Sequence, residues 1–236
     1  MRAVLLYIFI IFHTLYMCWW GLFLSIFDKN GSFIHRWAAV PWAKMILVVA
    51  KILGIEVELR GKINRDLKKA KIFMTNHQSY FDIFALLAYL PHDFRFIMKK
   101  ELMEIPLLGY AMKKVGYIGI DRENPRAALR SLKEASEKLH QGISLLIFPE
   151  GTRSPDGSLL PFKKGGFKLA IKTGAEIVPI GISGSAKIAS KGRLRLRKGR
   201  FSIGFGSPID SKRFSRRDID RLMELTRERI RMLIGN

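Results

Sequence analysis

The segment Tyr117 to Phe148, YIGIDRENPRAALRSLKEASEKLHQGISLLIF, decides the fold class. It opens on a short β-rich run, Tyr117 to Ile120, and closes on another, Ser144 to Phe148. Between them Asn124 offers a helix N-cap and Pro125 a first helical residue, where the missing N–H is harmless. Ala128, Leu132, Ala135 and Leu139 then recur at helical spacing until Gly142 ends the helix. A helix connecting two apolar strands argues for a sheet with a parallel portion, covered by helices.

Further strands are predicted on both sides of this unit. Ile55 to Leu59, Lys71 to Thr75 and Phe94 to Met98 precede it; Ile177 to Ile182, Leu194 to Arg197 and Phe201 to Phe205 follow. A last helix is expected from about Ser215, which with Asp218 makes a near capping box, and it should bury Ile219, Leu222, Met223, Ile230 and Leu233. Residues 55–236 are therefore expected to form one α/β domain with a mixed, partly parallel sheet flanked by helices.

Residues 1–54 have a different character. The run from Ala3 to Phe27 carries no charge, and as a helix it is long enough for a bilayer core of about 30 Å. No small-residue cleavage pattern follows it, so it is expected to be retained. After a polar break from Asp28 to Arg36, a second apolar stretch runs from Trp37 to Leu53, with Lys44 and Lys51 on one helical face. All four tryptophans, Trp19, Trp20, Trp37 and Trp42, fall in these two segments, and indole rings favour the headgroup level of a membrane. A membrane-associated two-helix hairpin is the expectation, spanning the bilayer or dipping into one leaflet.

Lys and Arg total 41 against 20 acidic residues, a formal charge of +21, which implies an acidic partner. Anionic lipid and an acidic carrier protein both suit that charge; nucleic acid would too, but no reading helix or base-stacking platform is recognisable. The single cysteine, Cys18, lies in the first apolar run, which excludes a disulfide framework. The five histidines form no His-Glu-x-x-His pattern, so no metal is expected.

Two stretches carry chemistry. Thr75 to Asp82, TNHQSYFD, follows a predicted strand and opens a helix. His77 and Asp82 are five apart, about 140° around an ideal helix, so they meet only if His77 sits on the preceding loop. In that geometry Asp82 would orient one ring nitrogen while the other takes a proton from a hydroxyl. Phe148 to Ser154, FPEGTRS, follows an apolar strand and has the makings of an anion-binding loop: Gly151 permits close backbone approach, Arg153 offers a bidentate fork, and Thr152 and Ser154 offer hydroxyls. Lys99, Arg122, Lys163 and Lys164 are further cationic candidates.

Taken in order, four blocks make the sequence resemble the 1-acylglycerol-3-phosphate acyltransferases, within the wider glycerolipid acyltransferases. Asn76-His77 through Asp82 is similar to the first block, Gly116 through Arg122 to the second, Phe148 to Ser154 to the third and Ile177-Val178-Pro179-Ile180 to the fourth. The resemblance implies direct acyl transfer from an acyl carrier protein or coenzyme A thioester to the sn-2 hydroxyl of lysophosphatidate, giving phosphatidate. It implies His77 as general base and Asp82 as its orienter, with no resident cofactor and no acyl-enzyme; no Gly-x-Ser-x-Gly elbow exists. Arg122, Arg153, Gly151, Thr152 and Lys99 would surround the substrate phosphate, with Glu150 orienting Arg153 or the acceptor. Pro149 and Pro179 would pack the site, Pro179 helping to shape the wall of the acyl chain. Lys191, Arg193, Arg195 and Arg197 are candidates for meeting an acidic carrier or anionic lipid at the cytoplasmic face of the cell membrane. Glycerol-3-phosphate or a different lysophospholipid is the rival acceptor; a basic, membrane-anchored nucleic-acid-binding protein is the rival of another class.

Overall fold

The computed structural model describes residues 2–61, 69–121, 123–190, 192 and 195–235. In chain order the elements are α1 (Arg2–Leu24), α2 (Ser32–Ile34), a π turn (His35–Ala39), α3 (Val40–Ile52), β1 (Ile55–Arg60), β2 (Ile72–Thr75) and α4 (Phe81–Tyr89). Next come β3 (Phe94–Lys99), α5 (Leu108–Val115), β4 (Ile118–Ile120), α6 (Pro125–His140) and β5 (Ser144–Ile147). The chain closes with α7 (Gly165–Thr173), β6 (Ile177–Ser183), α8 (Ser185–Ile188), β7 (Gly199–Phe205) and α9 (Ile219–Gly235).

The strands form a seven-stranded sheet in the order β1-β7-β6-β2-β5-β3-β4 among the described residues. Every neighbouring pair is parallel except β6 with β7. Alternation along the central strands feeds two cores. Phe73 and Leu146 point into a cluster with α3 and α4, whereas Ile72, Met74, Leu145 and Ile147 point into one with α6, α7 and α9. Burial on both faces is why β2 and β5 read as unbroken apolar runs, and each such side chain contributes about 1.5–3 kcal/mol on leaving water. Asn124 caps α6 by accepting the Ala127 N–H, and Ser215 with Asp218 forms the full capping box at the turn leading into α9.

The first core does not stop at residue 54. Leu6, Leu24, Ile34, Ala43, Ile46 and Leu47 of the N-terminal helices share it with Phe81, Phe84 and Phe96. The turn between the helices is fastened by Arg95, fully buried on β3, which donates to the Asn30 carbonyl at 3.0 Å and to Ser32 Oγ at 3.1 Å and pairs with Asp93. Pro41 explains the π turn: it has no N–H and its ring crowds the carbonyl four residues back, so the helix widens just before it. That carbonyl belongs to Trp37, and the Trp20 indole N–H donates to it at 3.0 Å.

One predicted strand is corrected. Leu194 lies outside the described residues, and residues 195–198 are not a strand. The Arg197 N–H goes to the Ile188 carbonyl at the end of α8, and pairing with β1 starts only at Gly199 opposite Ile55. Arg195 and Arg197 are exposed, whereas Lys191 and Arg193 lie outside the described residues.

Candidate active site

β2 and β5 are adjacent and parallel, so the loops leaving their carboxyl ends start side by side. The chain from β2 turns to the face of α4, and the chain from β5 goes to the opposite face, where α7 packs. A crevice opens between such divergent exits, the usual ligand position in an open α/β sheet. His77 stands on one exit loop and Phe148 to Ser154 form the other.

Several backbone ties fix the two loops. Asn76, buried, makes a reciprocal pair with β6: its amide donates to the Ile182 carbonyl at 2.8 Å and accepts the Ile182 N–H at 2.7 Å. The Ser154 N–H donates to the His77 carbonyl at 2.7 Å, and the Lys163 N–H to the Pro149 carbonyl at 2.8 Å. A β-turn closes from the Gly151 N–H to the Phe148 carbonyl, and Gly151 leaves it at φ 73°, where a side chain would be strained.

His77 and Asp82 touch. Nδ1 of His77 lies 2.8 Å from Oδ2 of Asp82, and the same oxygen accepts the N–H groups of Gln78 at 2.7 Å and Ser79 at 2.8 Å. Asp82 is fully buried in the first turn of α4, where the helix dipole favours a negative charge. An ionised carboxylate only accepts, so Nδ1 carries the proton and Nε2 is left with a lone pair. The imidazole stacks on Phe148 at 3.9 Å between ring centres, a contact not anticipated from the sequence. Ser79 Oγ accepts the Phe81 N–H at 3.3 Å, just before α4.

Glu150 is placed differently from the expected phosphate cradle. Its Oε1 accepts the His77 N–H at 2.8 Å and its Oε2 the Leu160 N–H at 3.0 Å. The carboxylate thus joins the two loops from behind. It is 3 % exposed, and burial pushes its pKa up to about 7 against the opposing pull of the two N–H bonds.

His77 lines a cavity of about 580 Å³ whose walls come from both halves of the chain. Ile10, Met17 and Trp42 of the N-terminal helices face Ile83, Phe84 and Leu87 of α4 across it. Its polar lining includes Tyr80, Lys99, Thr152 and Arg153, with the backbone of Gly151. Lys99 is paired with Glu101 at 2.6 Å at the surface. Arg122 lies outside the described residues. Tyr80 meets Tyr7 of α1, hydroxyl to hydroxyl, at 2.5 Å, a link between the N-terminal helix and the His77 loop that no local pattern signals.

Neither Pro179 nor Pro149 is among the described residues that line this cavity. Pro179 sits where the β6–β7 ladder stops: its carbonyl accepts the Gly206 N–H at 2.9 Å, and the return bond is impossible for a proline. Pro149 is buried within the turn that aims Glu150 and Gly151.

The acyltransferase family model matches residues 55–183, more than half of the chain and all of the segment that builds these loops. The chain belongs to the acyltransferase family. Within that family it is similar to a chloroplastic 1-acyl-sn-glycerol-3-phosphate acyltransferase of Brassica napus, 36% identical over 171 residues that make up 72% of this chain and 48% of the relative. A 1-acyl-sn-glycerol-3-phosphate acyltransferase of Helicobacter pylori is 41% identical over 150 residues, 63% of this chain and 62% of its own. The chain spans about half the length of the plant relative. The crystal structure of the 1-acyl-sn-glycerophosphate acyltransferase PlsC from Thermotoga maritima matches with a TM-score of 0.80 at 29% identity, covering 98% of this chain and 95% of that one. That likeness takes in the N-terminal helices of this acyltransferase as well as its sheet.

Proposed function

We propose that this acyltransferase moves an acyl chain from an acyl carrier protein or coenzyme A thioester onto the sn-2 hydroxyl of 1-acylglycerol 3-phosphate, giving phosphatidate. The observation that carries the reading is the 2.8 Å contact between His77 and Asp82 at the wall of an apolar cavity that also exposes Arg153. The names of the relatives point to the same acceptor.

In this reading Nε2 of His77 takes the proton of the acceptor hydroxyl as its oxygen attacks the thioester carbonyl. Asp82 stabilises the imidazolium so formed, and collapse of the tetrahedral adduct expels the thiolate, a leaving group that needs little acid assistance. The proton on His77 then returns to solvent or to the thiolate. Apolar walls from α1, α3 and α4 accommodate hydrocarbon, at about 0.8 kcal/mol for each methylene buried. Arg153 and the neighbouring Gly151 and Thr152 hold the acceptor phosphate, supported by Lys99.

Arg153→Ala is expected to raise the KM for lysophosphatidate by about tenfold to a hundredfold, the worth of a charge-assisted hydrogen bond, with a smaller change in kcat. Initial rates at varied acceptor and fixed thioester measure this. A rise confined to the KM of the thioester would assign Arg153 to the other substrate.

A pH effect follows from Glu150. Its folded pKa, about 7, lies above that of a free carboxyl, so the proton is held more tightly in the folded site and charge appears only as pH rises through about 7. Protonation turns one acceptor oxygen into a donor that faces an N–H. Activity should therefore fall as pH drops from about 8 to about 6, and Glu150→Gln should lower kcat at about pH 8 while flattening that fall. An unchanged pH–rate profile in Glu150→Gln would remove the carboxylate from the account.

The outer faces of the N-terminal helices carry exposed apolar side chains, Phe12, Trp19, Phe23 and Trp37 among them. Both helical segments, Arg2–Leu24 and Ser32–Ile52, are long and apolar enough to cross a membrane. Placed at the cytoplasmic face of the cell membrane, these faces would enter the lipid while the excess of Lys and Arg meets anionic headgroups.

A further inference from the structure

The loop that follows Arg153 is held by a residue far along the chain, outside the 55–183 family match. Arg227, on α9, donates from Nη2 to the Leu159 carbonyl at 3.2 Å. Its guanidinium lies 5.9 Å from the centre of the Phe162 ring, which stacks on Phe167 of α7. Its Nε is buried with no hydrogen-bond partner among the described residues, while the residue as a whole is partly buried. The next residue, Leu160, donates its N–H to Glu150 Oε2, while Glu150 Oε1 accepts the N–H of His77.

We propose that Arg227 is a positioning residue for acyl transfer: through Leu159 and Phe162 it fixes the loop that holds Glu150, and Glu150 holds the backbone of His77. This role rests on the acyl-transfer reading above. Three contacts in series connect α9 to the backbone of His77, and each is short enough to transmit a displacement of an ångström or less. A shift of that size at a catalytic base is costly to rate without touching substrate.

The charged and titratable groups around Glu150 are Asp82 and His77 from the β2–α4 segment and Arg227 from α9. Asp82 disfavours the Glu150 anion and Arg227 favours it. Arg227 therefore acts twice: it holds the loop, and its charge favours the Glu150 anion against the larger effect of burial. α9 itself docks through Ile219, Leu222 and Ile230, buried apolar side chains that owe nothing to the guanidinium.

The test compares wild type, Arg227→Ala, Arg227→Lys and, as a control, Arg229→Ala at an exposed position of the same helix. Each full-length protein is assayed in anionic vesicles for kcat, both KM values, thermal midpoint and the pH dependence of kcat. Arg227→Ala is expected to lose about tenfold to a hundredfold in kcat with thioester KM within about twofold. Its acid limb should move to higher pH, because the Glu150 anion has lost its cation. Arg227→Lys should return the limb toward the wild-type position while restoring only part of the rate, since an ammonium lacks the planar fork. Arg229→Ala should match wild type throughout. A wild-type rate and pH profile in Arg227→Ala would overturn the role, as would a rate loss that tracks thermal destabilisation alone with the limb unmoved. Absence of transfer by the wild type would instead overturn the acyl-transfer reading, and this role with it.

Discussion

His77→Ala is expected to lower kcat for acyl transfer by about 100-fold to 10,000-fold, with the fold and acceptor binding retained. Among the described residues at the cavity wall, the imidazole is the one group with a proton-accepting lone pair and a buried carboxylate behind it. Removing it leaves the acceptor hydroxyl to attack without a base, and a general base is worth about 100-fold to 10,000-fold. The loss must appear in kcat rather than KM, because the proton moves only as the carbon–oxygen bond forms. Folding should survive, since the loop is held by main-chain bonds from His77 to Glu150 and Ser154 that alanine keeps. Single-turnover rates with acyl thioester and lysophosphatidate, alongside equilibrium binding of the acceptor, separate the two quantities. A variant that turns over within tenfold of wild type would eliminate His77 as the base.

Asp82→Asn is the companion result, an expected loss of about 100-fold to 10,000-fold in kcat with little or no loss of thermal stability. Asparagine can keep one oxygen where Oδ2 accepts from His77, Gln78 and Ser79. It cannot supply the negative charge that stabilises the imidazolium, and an amide that turns its NH2 toward His77 selects the wrong tautomer. Stability should change little, because the carboxylate is fully buried and its Oδ1 has no hydrogen-bond partner among the described residues. Exchanging a buried charge for a neutral isostere removes a desolvation penalty, but it weakens the bonds to Oδ2 and puts the amide NH2 in the unpartnered place of Oδ1, so the thermal midpoint should change little. Activity and melting measured on the same preparation decide the matter: near-wild-type kcat would sink the orienting role, and a large drop in melting temperature would show that the charge holds the fold.

These two side chains are five residues apart, yet their partnership is not a local property. It needs His77 on the loop and Asp82 in the helix, and that division is set by Asn76, whose amide is tied to β6 more than a hundred residues on. Glu150 shows the opposite case. Its neighbours in the sequence suggest an anion loop, but both its oxygens are occupied by main-chain donors from two other segments, and side-chain type carries no information about backbone partners. Arg227 left no pattern at all, because a lone arginine on an amphipathic helix reads as one more solvated charge.

What local chemistry determined by itself is considerable. Unbroken apolar runs specified β2, β5 and β6, helical spacing and caps specified α6 and α9, and uncharged length specified the N-terminal helices, since each depends only on side chains within a few residues. The alternating Arg and Leu of 194–197 misled the same logic, because whether a short alternating run pairs depends on the neighbour it meets, and here the Arg197 N–H meets the end of α8. Only the tertiary structure decided that α1 and α3 close over the loops of His77 and Arg153 to make one cavity, that Tyr7 reaches Tyr80, and that α9 reaches the loop behind His77. The physical reason is the same in each case: these contacts join surfaces distant along the chain, and they are chosen by the shape of the packed sheet and helices rather than by the residues next to them in sequence.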